Sequence, residues 1–69
     1  MVEVFKTNIQ EAKQATILFK ELSQQFPLFK INFDLQDCDK ILRVEGESIL
    51  YDKIISLVHI NGYQCQILD

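Results

Sequence analysis

The stretch Leu28-Phe29-Lys30-Ile31-Asn32-Phe33-Asp34-Leu35, then Gln36-Asp37-Cys38-Asp39-Lys40, then Ile41-Leu42-Arg43-Val44-Glu45-Gly46, reads as a β-hairpin. Its first segment alternates, with Phe29, Ile31, Phe33 and Leu35 on one side and Lys30, Asn32 and Asp34 on the other. A period of two is the signature of a half-buried strand. The polar run over 36–40 has turn chemistry, and Ile41 to Glu45 forms the returning strand, closed by Gly46.

Working outward, Val2 to Thr7 also alternates, placing Phe5, Thr7 and Ile9 on one face and Val2, Val4 and Lys6 on the other. Asn8 offers an N-cap and Glu11 follows three residues later, a capping-box spacing. From Ile9 to about Gln25, Ala15, Leu18, Phe19, Leu22 and Phe26 fall on one helical face. Ile17 points outward without an evident reason, and Pro27 stops the helix. Beyond the hairpin, Ser48 is placed to cap a second helix from Ile49 to about Ile60, with Leu50, Ile54, Leu57 and Val58 inward. Asn61-Gly62 ends it, and Tyr63 to Leu68 forms a last strand with Cys65 and Ile67 on one face. The order strand, helix, strand, strand, helix, strand predicts an α+β fold. It is the ferredoxin-like βαββαβ sandwich, a four-stranded antiparallel sheet with both helices on one face.

The chain has 69 residues, room for a single domain over 1–69, and it is 48% hydrophobic. Its net charge of −3 and scattered basic residues argue against a nucleic-acid partner. No apolar run approaches the ~20 residues that cross a bilayer. The start Met1-Val2-Glu3-Val4 reads as strand rather than signal peptide, so a cytoplasmic location is expected, with no membrane partner. Two cysteines, Cys38 and Cys65, do not make a disulfide framework, and both are expected as free thiols.

The segment from Phe33 to Gly46 resembles the second hairpin of heavy-metal-associated domains, the domains of copper chaperones and of metal-pumping ATPase arms. Ile54-Ile55, Leu57-Val58 and Asn61-Gly62-Tyr63 resemble that family's second helix and its exit, and Lys6-Thr7-Asn8-Ile9 the approach to its first loop. The resemblance implies a soft-metal site of the form M-x-C-x-x-C at that loop. Ile9 stands at the methionine position, and Glu11 and Gln14 stand at the two cysteine positions. Soft ions select thiolates, whereas a carboxylate and an amide are hard oxygen donors. The loop is therefore degenerate: no metal, no cofactor and no metal transfer are expected from it. Glu11 has a plainer role in capping the helix, near the positive end of its dipole.

Other polar groups fall at the same end of the expected sandwich: Asp37, Cys38, Asp39, His59 and Tyr63 join Glu11 and Gln14 there. A relocated metal site using Cys38 and His59, or Glu11 for a harder ion, is the alternative to a metal-free domain. Acids flank Cys38, which disfavours a reactive thiolate there. His59 reads as a surface histidine near a helix C-terminus, Tyr63 as a cover for the Ile9 end of the core, and Cys65 as a small hydrophobe. No glycine-rich phosphate loop and no Ser/His/Asp set occurs, so a non-enzyme is expected. The leading expectation is a non-catalytic interaction module with an unidentified protein partner. Val2, Val4 and Ile41 on the open sheet face, with Ile17 and Ile60, make homodimerisation the first candidate.

Overall fold

The computed structural model describes residues 1–68. Its elements are β1 (Val2–Thr7), α1 (Ala12–Gln25), β2 (Lys30–Asp34), β3 (Ile41–Glu45), α2 (Tyr51–Ile60) and β4 (Cys65–Ile67). The strands form one antiparallel sheet in the order β2-β3-β1-β4. The α+β, ferredoxin-like arrangement expected from the sequence is the one observed. Side-chain alternation sends Phe5, Ile31, Leu42, Val44 and Cys65 to one face, where they meet Leu18 and Leu22 of α1 and Ile54 and Val58 of α2. Burial of that shared face, at about 25 cal/mol per Å² of apolar surface, is what holds the two layers together. Among the described residues no helix is long and apolar enough to cross a membrane.

Several boundaries differ from the sequence reading. Helix α1 starts at Ala12, with Glu11 extended at the cap (φ −120°, ψ 144°). Asn8 does not cap it, because its Oδ1 accepts instead from the Gln64 amide at 2.8 Å, tying the first loop to the approach of β4. Ser48 does not cap α2 either. It takes a left-handed backbone (φ 53°), the chain then buries Ile49, and Leu50 stands at the cap position. Ile49 therefore replaces Leu50 in the core, and Leu50 is left 45% exposed. Helix α2 is ten residues long. Asn61 closes it by donating to Leu57 O (2.8 Å) and Glu21 Oε2 (2.7 Å), which locks its end against α1. Gly62 has the positive φ (94°) expected of a residue just past a helix.

Three apolar residues sit otherwise than their pattern suggested. Phe19 is 43% exposed, because its helix overhangs the outermost strand β2 and nothing lies beyond. Ile67 is exposed for the same reason at the opposite edge, although it shares a face with Cys65. Ile41, expected on the open face, is buried. It occupies the inner strand β3, with Lys6 and Asp34 opposite it on either side. The aliphatic stem of a lysine can cover such a position while its ammonium stays in water.

Candidate functional site

The first loop decides what this end of the sandwich can do. Thr7 ends β1 with its side chain buried. Its hydroxyl donates to Lys40 O and accepts from the Ile9 amide at 3.3 Å, while its own amide donates to Asp39 O at 3.1 Å. One residue thereby joins the first loop to the hairpin turn. Ile9 is fully buried and anchors the loop in the core.

Glu11 and Gln14 form a capping-box pair at the N-terminus of α1, Glu11 as N-cap and Gln14 three residues in. Gln14 Oε1 accepts from the amides of Glu11 and Gln10, each at 3.2 Å. The Glu11 amide, at the N-cap, is among the donors that a helix start leaves without an intrahelical partner, and the Gln10 amide lies one residue before it. The capping box lies three residues later than the Asn8 and Glu11 spacing suggests, and Gln14 makes the closing bonds. The two positions at which the resemblance implies sulfur are thus the N-cap and third position of the helix. Glu11 is exposed and Gln14 half-buried.

In the hairpin turn, ligand atoms of Asp37, Cys38 and Asp39 lie within 4.8 Å of one another. Among the described residues this is the one group of three such side chains, and neither Glu11 nor His59 belongs to it. Turn chemistry accounts for the grouping. Asp37 Oδ1 accepts from the Asp39 amide (2.8 Å), Asp37 O from the Lys40 amide (3.0 Å), and Lys40 is left-handed (φ 49°). Lys6 Nζ stands 3.7 Å from Asp39 Oδ1, and Lys40 Nζ donates to Leu35 O at 3.0 Å. Two cations therefore already attend this turn.

His59 is exposed and lines a shallow hollow with Lys6, Thr7, Gln64, Cys65 and Gln66, none of which is a carboxylate that could orient it. Both cysteines are free, Cys38 exposed and Cys65 buried. Burial pushes the Cys65 thiol up to about 12, so it stays protonated at neutral pH. Tyr63 is half-buried against the core. Burial, with the Glu3 carboxylate beside it, raises Tyr51, whose ring lies 6.5 Å from that of Phe5.

Thr7 and Asn8 are the residues whose roles sequence reasoning missed. Thr7 was legible only as a core-facing position, and a polar side chain there was the signal that a buried backbone group needed it. No protein-family model, curated protein or solved structure matches the chain.

Proposed function

We propose that this chain is a non-catalytic protein-interaction domain, related in design to heavy-metal-associated domains, whose first loop holds a helix start in place of a soft ion. The observation that carries this reading is the pair of bonds from the Gln10 and Glu11 amides to Gln14 Oε1. Where two thiolates would face each other, the chain spends its side chains on backbone closure. Among the described residues no carboxylate lines the hollow of His59, which supports a reading without acid–base chemistry. Exposed apolar side chains, among them Leu28, Ile60, Ile17 and Phe19, support a role in contact with another protein.

Copper(I) and zinc titrations against a competing chelator test the reading. The wild-type chain is expected to leave the chelator loaded, and the E11C/Q14C variant to strip copper from it, because the scaffold would again present two thiolates at the helix start. Sub-micromolar binding by the wild-type chain that Cys38→Ala or Glu11→Gln abolishes would instead establish the relocated metal site. An E11C/Q14C variant that folds but ignores copper would break the link to the metal-binding loop.

A further inference from the structure

Strand β2 is the longer of the two sheet edges: Lys30–Asp34 against Cys65–Ile67. Its two charged residues, Lys30 and Asp34, lie on the open face of the sheet. It has no proline, and no charge faces the helix layer, where Ile31 and Phe33 lie. Which of its backbone groups are free follows from the pairing phase. The Gly46 amide donates to Met1 O, in the same register as Val2 opposite Glu45. Because hydrogen-bonded and open pairs alternate along an antiparallel ladder, Val44 and Leu42 bond toward β1, and Glu45, Arg43 and Ile41 bond toward β2. Their partners on β2 are Lys30, Asn32 and Asp34. The amides and carbonyls of Ile31 and Phe33 therefore point out of the sheet, and no loop or side chain among the described residues bonds them.

We infer that β2 pairs antiparallel with β2 of a second copy of this chain about a two-fold axis at Asn32, joining two sheets into one. Charge complementarity selects this occupant and this register. Only outward-facing residues can exchange hydrogen bonds, so Ile31 and Phe33 must meet one another, or themselves, or the residues flanking the strand. Centring on Asn32 pairs Ile31 with Phe33 of the second copy, and Phe33 with its Ile31. The same register sets Lys30 opposite Asp34 twice and Asn32 opposite itself. Sliding the strand to centre on Ile31 or Phe33 removes both charge pairs. Within one chain, and among the described residues, neither Lys30 nor Asp34 makes an ion pair. Above the edge, Ala15, Thr16 and Phe19 of α1 and Ile31, Phe33 and Leu35 line an apolar groove. In the pair, two such grooves meet over the axis and cover the exposed part of Phe19. Self-pairing supplies the partner for the interaction role proposed above. It does not depend on the state of the first loop.

Sedimentation equilibrium over about 10 μM to 1 mM, the range suited to an association of this small size, tests the pairing. The wild-type chain is expected to show a monomer–dimer equilibrium. K30D sets two aspartates against Asp34 across the axis, and D34K sets two lysines together; each should weaken the dimer roughly tenfold or more. Mixing K30D with D34K should restore it as a heterodimer, and K30D/D34K should restore it as a homodimer. That recovery also shows that loss in either single variant was not misfolding. A wild-type chain that stays monomeric overturns the pairing, as does one that stays monomeric and captures extended peptides. So does a dimer that neither charge reversal weakens. In each case the copper titration still judges the loop independently.

Discussion

Replacing Thr7 by valine keeps the shape of the side chain and removes its hydroxyl, which isolates the bonds that join the first loop to the hairpin turn. In Thr7→Val the Ile9 amide, belonging to a fully buried residue, loses its acceptor, and Lys40 O loses a donor in a half-buried place. A buried donor left unsatisfied costs about 1–3 kcal/mol, and a lost ordinary bond about 0.5–1.5 kcal/mol. The Ile9 bond is long at 3.3 Å, so the lower end of the first range applies. The sum is about 2 kcal/mol. A domain of this size has a total stability of roughly 3–10 kcal/mol. At ~4–8 °C per kcal/mol, the melting midpoint should fall by about 8–16 °C. Urea and thermal unfolding followed by circular dichroism read both quantities. Thr7→Ser is the control: it keeps the hydroxyl and loses one methyl, about 0.8 kcal/mol. A Thr7→Val chain within ~0.5 kcal/mol of wild type would show that the hydroxyl does not hold the loop to the turn, as would a Thr7→Ser chain equally damaged.

The two glycines should respond to alanine for different reasons. A Cβ at Gly46 would stand 2.6 Å from Phe29 Cδ1, and Phe29 stacks on Phe26 with ring centroids 5.5 Å apart, so G46A should cost about 1–3 kcal/mol in urea unfolding. At Gly62 a Cβ meets open space, and G62A should cost only the positive-φ penalty, about 1 kcal/mol. With a thiol reagent at pH 8, Cys38 should react at once and Cys65 only on unfolding, read as the absorbance step when denaturant is added. The same burial makes stability pH-dependent. The folded thiol of Cys65 titrates near 12 against a usual 9.0, so the unfolded chain releases its proton first as the solution becomes alkaline. Its contribution is intact below about pH 9 and is lost as pH rises toward 12. Tyr51, also raised, acts in the same direction. Urea midpoints should therefore fall above pH 9, and less steeply in Cys65→Ala; an equal fall in both chains would refute this role.

The alternation around Ile31 and Phe33, and the three- and four-residue spacing of Ala15, Leu18 and Leu22, were legible as strand and helix because each places apolar groups on one side of a regular element. Regular elements carry their burial pattern locally. Their starts do not. Asn8 and Ser48 have the residue type of helix caps, but Asn8 is drawn to Gln64 and Ser48 precedes a buried Ile49. Both outcomes depend on residues far along the chain or on the shape of the core. Glu11 and Gln14 were readable as a pair without sulfur. That Gln14 closes the helix start required knowing where the helix begins.

Local pattern therefore determined the order of elements, the face each turns inward and the absence of a thiolate pair at the first loop. Tertiary structure alone decided which side chains finish the backbone's hydrogen bonding, and why Ile41 is hidden while Phe19 is left uncovered. The physical reason is position in the sheet. An inner strand has neighbours on both sides, whereas an edge strand has one; the βαββαβ order already implies edges at β2 and β4, but nothing in the sequence near Ile41 or Phe19 shows how far neighbouring side chains cover each.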